Sequence, residues 1–149
     1  RYLFATLLHA AWREPYRAAD GVVPVPLHRE RQCERGYNHA ELLARAFCQQ
    51  MVLPLHNNWL ARHRATASQV GLTARERQRN VTDAFSANPG VQGKRIIVLD
   101  DVYTTGATIN ACAAALYDAG ATAVYGLALA CPLQPGSTVR SSQLGMVAT

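Results

Sequence analysis

The stretch RIIVLDDVYTTGAT, residues 95–108, determines the fold class of this chain. Its first part is a continuous aliphatic and β-branched run that ends at Asp101, which is typical of a central parallel strand covered on both faces. A hydroxyl-rich segment, Thr104–Thr108, then leads into an alanine-rich stretch, Ile109–Ala119, which predicts a helix that ends with Gly120 at its C-cap. The order strand, loop, helix indicates an α/β unit.

Outward from this unit, the apolar pattern continues to alternate between strand and helix. Residues 121–131 predict another strand, and residues 22–26 predict a short strand in which two prolines impose a rigid turn. Residues 38–51 predict an amphipathic helix with Asn38 as its N-cap, and residues 59–62 predict a further short strand. Because strands alternate with helices, we expect a mostly parallel sheet flanked by helices.

Composition favours one globular domain. The chain has 149 residues, of which 49% are hydrophobic and 17% charged, and this balance excludes disordered and collagen-like classes. We expect the domain to occupy residues 1–131 and residues 132–149 to form a loose C-terminal tail or a weakly attached edge. The four cysteines form no C-x-x-C pair, which favours reduced thiols in a cytoplasmic protein over a zinc ribbon or a disulfide framework. The apolar stretch near the start is too short to span a bilayer.

The net charge of +5 is distributed unevenly along the chain. Residues 1–95 contain fourteen basic and seven acidic residues, whereas residues 96–149 contain three aspartates and one arginine. Fourteen of the fifteen basic residues are arginine, whose guanidinium binds phosphate oxygens through two parallel hydrogen bonds. A compositional bias of the genome explains any one arginine about equally well, but the total favours anionic partners such as phosphates or nucleic acid.

The loop after the central strand has the composition of a phosphate site. Ligands of open α/β sheets bind at the carboxyl ends of strands, and the N–H groups at a helix N-terminus attract phosphate. Gly106 allows a close approach of the backbone, while Asp100 and Asp101 are placed to accept hydrogen bonds from vicinal ribose hydroxyls. Neither G-x-x-x-x-G-K-[ST] nor G-x-G-x-x-G is present, so the pattern indicates a phosphoribosyl site. The alternative is a solvent loop in which the acids merely end the strand.

Residues 97–108 resemble the phosphoribosylpyrophosphate (PRPP) motif of type I phosphoribosyltransferases. More closely, four ordered segments are similar to the ComF/GntX group, which comprises competence- and DNA-utilisation-associated proteins with a phosphoribosyltransferase domain. These segments are VPVPL at 23–27, RGYN at 35–38, Gln69 with Arg75–Asn80, and Ala84-Phe85. The similarity covers about residues 20–131. It implies a type I phosphoribosyltransferase core, with a parallel sheet, flanking helices and a small hood.

The resemblance also implies roles by position. Asp100 and Asp101 would hold the ribose hydroxyls. The 5′-phosphate would be bound by Thr104, Thr105, Gly106, Ala107 and Thr108. A loop that grips pyrophosphate would consist of Pro26, Leu27, His28 and Arg29. The segment containing Gln69, Arg75 and Arg79 resembles the flexible loop that closes over the reacting centre. For Arg75 and Arg79 a solvated surface charge is an equal alternative, and a lone histidine in a charged loop, such as His28, is more often a surface residue than a general acid.

If the chain is an enzyme, the reaction implied is displacement of pyrophosphate from the anomeric carbon of PRPP, with Mg²⁺ bridging PRPP. Asp100, Asp101 and Arg29 would be the catalytic residues, and loop arginines would help to neutralise the pyrophosphate. Tyr103 could cover the ribose, stack on a base or pack beside the turn. The competing functions are a non-catalytic protein that handles single-stranded DNA and a sensor that binds a nucleotide monophosphate. Other competence proteins are further candidate partners.

Two features of the group bear on this chain. Its members commonly carry an N-terminal cysteine-rich zinc module, and the corresponding cysteines are not in this sequence, so we do not expect protein-ligated metal here. The start at Arg1 in place of Met suggests truncation. The sequence identifies neither the acceptor base nor the oligomeric state.

Overall fold

The structure is a computed structural model that describes residues 18–27, 36–63, 84–130 and 146–148. The elements in these ranges are β1 (Gly21–Pro24), α1 (His39–Met51), β2 (Leu60–Arg62), β3 (Phe85–Ala87), β4 (Arg95–Val102), α2 (Ala107–Asp118), β5 (Ala123–Ala130) and β6 (Met146–Ala148). The main sheet has the strand order β1-β4-β5-β6. Its first three strands are parallel, and β6 joins the edge antiparallel to β5. Strands β2 and β3 form a separate antiparallel ribbon.

Strand β4 lies at the centre of the parallel part of the sheet, as the sequence predicts. Ile96 and Val98 pack into the cluster that contains the buried side of α2, while Ile97 and Leu99 pack into the cluster that contains α1. These four side chains are at most 2% exposed. The continuous apolar run is required because a helix covers each face of the sheet, and the predicted α/β architecture is confirmed.

Helix α1 begins and ends close to its predicted limits. Asn38 caps it by accepting a hydrogen bond from the Ala40 N–H at 3.0 Å, which confirms the predicted N-cap. The helix buries Ala44 and Phe47 against the sheet and ends at Met51, and its C-cap residue Val52 has a left-handed backbone with φ 54°. Its apolar face, and not local propensity alone, therefore fixes its orientation.

Helix α2 begins at Ala107, two residues before the predicted start at Ile109, because Gly106 serves as the N-cap. It ends at Asp118, and Gly120 follows with a positive φ of 94°, one residue beyond the Ala119 C-cap. The two described helices are not long and apolar enough to cross a membrane.

The β2–β3 ribbon packs on the α2 face of the sheet. Leu60 from β2 and Phe85 from β3 are buried in the same cluster as Cys112 and Leu116 of α2. The sequence predicts strand β2 but not β3, because β3 depends on pairing with β2 and packing on α2, which no local window contains. Of the predicted C-terminal tail, the structure describes Met146–Ala148, where the backbone pairs with β5.

Candidate functional site

The two predicted acids lie at the carboxyl end of the central strand. Asp100 is partly buried, and its Oδ1 accepts a hydrogen bond from the Asp101 N–H at 2.9 Å. Burial is the largest influence, and with the Asp101 side chain it raises the pKa of Asp100 to about 7. The Asp101 N–H and the Arg62 guanidinium act in the opposite direction, lowering this pKa. Burial therefore favours the protonated form of the Asp100 carboxyl.

The loop between β4 and α2 places its glycine where no other residue fits without strain. Gly106 has φ 77°, and a Cβ built on it would lie 2.6 Å from the Tyr103 Oη. Tyr103 thus packs beside the turn, which is one of the three roles that the sequence left open for it. The Tyr103 N–H donates to the Ala130 carbonyl at 2.7 Å and continues the β4–β5 pairing into the loop. The backbone of the loop is consequently anchored to the sheet.

The loop opens onto a depression at the start of α2. The Thr105 Oγ1 accepts a hydrogen bond from the Ala107 N–H at 3.4 Å, and the first turn of α2 carries no acidic residue. The positive end of the helix is therefore not neutralised by its own first turn, which favours an anion there. The depression is lined by Asp100, Val102, Tyr103, Thr104, Gly106, Ala107, Thr108 and Ile109. Asp100 and four of the five predicted phosphate-binding residues thus line one depression.

The start of the predicted pyrophosphate loop lies beside the acids. The Val25 N–H donates to the Leu99 carbonyl at 2.9 Å, which places Pro26 and Leu27 next to the end of β4 that carries Asp100. The other two residues of that predicted loop, His28 and Arg29, lie outside the described residues. The same holds for the predicted flexible-loop residues Gln69, Arg75 and Arg79.

Arg62 is a charged residue near the acids that the sequence analysis did not assign to the site. It is the last residue of β2 and lies opposite Phe85, with its guanidinium carbon 5.4 Å from the centroid of the Phe85 ring. Its charge lowers the pKa of Asp100 and also opposes the rise in the pKa of the buried Cys112 thiol, so it acts on both β4 and α2. A signal was present in the sequence: side chains two apart share a face of a strand, so a buried Leu60 directs Arg62 inward.

Within the described ranges, no three His, Cys, Asp or Glu side chains are grouped so that they could hold a metal ion.

This arrangement, a parallel sheet with two acids and a threonine-glycine loop at the carboxyl end of its central strand, defines a type I phosphoribosyltransferase fold. Three solved structures share this fold. Glutamine PRPP amidotransferase from Bacillus subtilis matches 95% of this chain and 30% of its own, with TM-score 0.59 and 22% identity. Purine phosphoribosyltransferase from Pyrococcus horikoshii matches 88% of this chain and 75% of its own, with TM-score 0.52 and 15% identity. PRPP synthetase from Mycobacterium smegmatis matches 85% of this chain and 33% of its own, with TM-score 0.51 and 21% identity.

The chain belongs to the ComF/GntX family of competence and DNA-utilisation proteins, which confirms the resemblance found in the ordered motifs. It is 40% identical over 128 residues to DNA utilization protein YhgH of Escherichia coli K12, with 83% of this chain and 55% of the relative covered. It is 37% identical over 114 residues to Competence protein F of Haemophilus influenzae, with 71% of this chain and 50% of the relative covered. It is 35% identical over 99 residues to Competence protein ComFC of Bacillus subtilis, with 66% of this chain and 39% of the relative covered. The chain thus spans about half the length of the curated relatives it matches. No family model matches it.

Proposed function

We propose that this chain binds PRPP, or the ribose 5′-phosphate part of a nucleotide, at the carboxyl end of β4. The observation that supports this most strongly is that Asp100 and the N-terminus of α2 line one depression, with Asp101 adjacent in the chain. Carboxylates accept hydrogen bonds from sugar hydroxyls, and a helix N-terminus attracts phosphate, so the pair suits a phosphorylated ribose.

Each part of the site has a defined role in this proposal. Asp100 and Asp101 accept hydrogen bonds from the 2′- and 3′-hydroxyls of the ribose. The loop from Thr104 to Thr108 binds the 5′-phosphate through its N–H groups and hydroxyls. The pyrophosphate of PRPP, carried as its Mg²⁺ complex, extends toward Pro26 and Leu27, whose place beside β4 is set by the Val25–Leu99 hydrogen bond. With a base acceptor present, the reaction is displacement of pyrophosphate at the anomeric carbon, and the acids in their ionised form favour the cation-like sugar in the transition state.

The test is calorimetry with PRPP and with AMP, each in the presence of Mg²⁺. We expect Asp101→Asn to weaken PRPP binding about tenfold or more, because hydrogen bonds to a charged group contribute about 1.5–3 kcal/mol. The matched control is Asp118→Asn, since Asp118 is exposed at the far end of α2. Absence of binding by the unaltered protein, or equal affinities for Asp101→Asn and the unaltered protein, would refute the proposal.

Turnover needs a separate measurement because the fold also occurs in a PRPP synthetase. Release of pyrophosphate from PRPP should be followed with each common nucleobase in turn. Release with one base identifies the acceptor and a transferase activity. Binding of PRPP without release for any base favours a nucleotide sensor over a transferase.

A second candidate function is the handling of single-stranded DNA. It is favoured by the names of the relatives, which include DNA utilization and competence proteins, and by the fourteen basic residues within residues 1–95. Binding through phosphate contacts must weaken steeply as salt is raised, because bound counterions are released. Fluorescence anisotropy of a labelled oligonucleotide at several salt concentrations tests this, and an affinity that does not change with salt would contradict it.

A further inference from the structure

Asn38 uses both ends of its side-chain amide. Among the described residues it is the one polar residue whose side chain is buried, at 9% exposure. Its Oδ1 accepts a hydrogen bond from the Ala40 N–H at 3.0 Å, and its Nδ2 donates to the Val25 carbonyl at 3.0 Å. Because one partner is a donor and the other an acceptor, only one orientation of the amide satisfies both.

The bond to Val25 is not needed to cap α1. A helix N-cap requires only an acceptor, which serine, threonine or aspartate supplies equally well. The Nδ2 group instead reaches a residue thirteen positions earlier in the chain. A buried donor that lost this partner would cost about 1–3 kcal/mol, so the contact is a substantial constraint on the position of Val25.

Val25 is the point at which the chain leaves the sheet. Its N–H donates to Leu99 on β4 at 2.9 Å, and its carbonyl accepts from Asn38. Pro26 follows without an N–H group of its own, so it cannot extend the strand pairing. The positions of Pro26 and Leu27 relative to Asp100 are therefore fixed by the two hydrogen bonds of Val25, one to β4 and one to Asn38.

We propose that Asn38 is a positioning residue for the pyrophosphate end of the ligand, acting through Val25 on Pro26 and Leu27. This inference rests on the proposed function and deepens it, since it separates the residues that serve the pyrophosphate from those that serve the ribose and the 5′-phosphate. Asn38 need not contact the ligand. Its contribution is to hold the backbone that does, and small displacements of such backbone weaken binding markedly.

The experiment uses two variants that keep an acceptor for the helix cap and remove the amide donor. In Asn38→Asp the carboxylate accepts from the Ala40 N–H and has no donor for the Val25 carbonyl. In Asn38→Ser the hydroxyl oxygen is also an acceptor, and its O–H lies one bond closer to the backbone than the Nδ2 group that reaches Val25. Asn88 offers a matched control, because it is exposed and its Oδ1 caps the turn at Pro89–Val91 by accepting from the Gly90 N–H at 2.9 Å. The same two substitutions at Asn88 alter a cap but leave the hydrogen bonds of Val25 unchanged.

The readout is the ratio of two affinities measured by calorimetry with Mg²⁺ present, one for PRPP and one for ribose 5-phosphate, which lacks the pyrophosphate. We expect both Asn38 variants to bind PRPP about tenfold more weakly and ribose 5-phosphate within about twofold of the unaltered protein. The Asn88 variants should leave both affinities unchanged. A purely structural role for Asn38 would weaken both ligands by the same factor, and that result would overturn the inference.

A measurement on the unaltered protein covers the case in which the variants do not fold. In an NMR titration, the side-chain amide signals of Asn38 should shift when PRPP is added and stay in place with ribose 5-phosphate. No shift with PRPP, or equal shifts with both, would contradict the inference while leaving the proposed function intact. An unaltered protein that binds neither ligand would refute the proposed function, and this inference with it.

Discussion

Replacing Gly106 with alanine tests the geometry of the loop most directly. Two costs follow from the structure. The residue has φ 77°, a left-handed conformation that costs an L-residue roughly 1–2 kcal/mol. In addition, the new Cβ would lie 2.6, 2.9 and 3.0 Å from the Oη, Cζ and Cε2 atoms of Tyr103, so the ring must rotate away. Because Tyr103 is only partly buried, we assign this displacement about 0.5–1.5 kcal/mol, the cost of an off-rotamer side chain. Together these give a loss of about 1.5–3.5 kcal/mol in the free energy of unfolding.

Gly93 is a matched control for this substitution. Its φ is 73°, nearly that of Gly106, but a Cβ there meets no atom within 4 Å. Gly93→Ala therefore measures the backbone cost alone, and the difference between the two variants measures the displacement of Tyr103. The free energies should be obtained by urea unfolding followed by circular dichroism, with identical slopes required for the comparison.

A double variant separates the two costs. When Tyr103 is already alanine, the new Cβ at position 106 meets no ring and the steric cost disappears. Adding Gly106→Ala to Tyr103→Ala should therefore lower the free energy of unfolding only by as much as Gly93→Ala does. Two results would refute the reasoning: Gly106→Ala no more destabilising than Gly93→Ala, or no relief in the double variant. Either would mean that Tyr103 does not pack on Gly106.

Two further predictions concern the charges at the end of β4. The pKa of Asp100 rises from its ordinary 3.8 to about 7 on folding, so its contribution to stability is fully present below about pH 4 and is lost as the pH rises through 7. Asp100→Asn should remove this pH-dependent loss of stability, so the variant should be at least as stable as the unaltered protein at pH 8. If the free energy of unfolding in urea depends on pH in the same way in both proteins, the prediction is contradicted. Arg62→Gln should move the titration of the Asp100 carboxyl to higher pH, as followed by ¹³C NMR, while Arg62→Lys keeps it largely in place. Arg95→Gln, at the opposite end of β4, is the control, and the same shift in that variant would exclude a specific effect of Arg62.

The parts of this molecule that local pattern decides were predictable from the sequence. The apolar run of β4 and the cap of α1 at Asn38 depend on residues near one another in the chain, and the structure has both. The family resemblance was also predictable, because its ordered motifs are short segments of the sequence itself. Helix α2 was predicted with a start two residues late, because the pattern of apolar residues did not reveal that Gly106 acts as the N-cap.

The features that the sequence did not show depend on distant partners. Strand β3 is three residues long and is stabilised by pairing with β2 and by packing on α2, neither of which a local window contains. The proximity of Arg62 to Asp100 follows from that pairing. The raised pKa of Asp100 comes first from burial, which only the assembled sheet produces. The second hydrogen bond of Asn38 is of the same kind, since its acceptor lies on another element.

The pairing of β1 with β4 has a consequence for how the chain is made. Asp20, just before β1, accepts a hydrogen bond at 2.8 Å from the N–H of Arg95, which lies 75 positions later. During synthesis, Val22 and Val23, which are buried in the finished sheet, therefore leave the ribosome well before their neighbours on β4 exist. Strand β4, helix α2 and strand β5, by contrast, emerge in succession and contact one another locally. Until residues 95–102 emerge, β1 lacks its β4 partner and has only the bridge between Val22 and Leu55, a state that favours aggregation or capture by a chaperone.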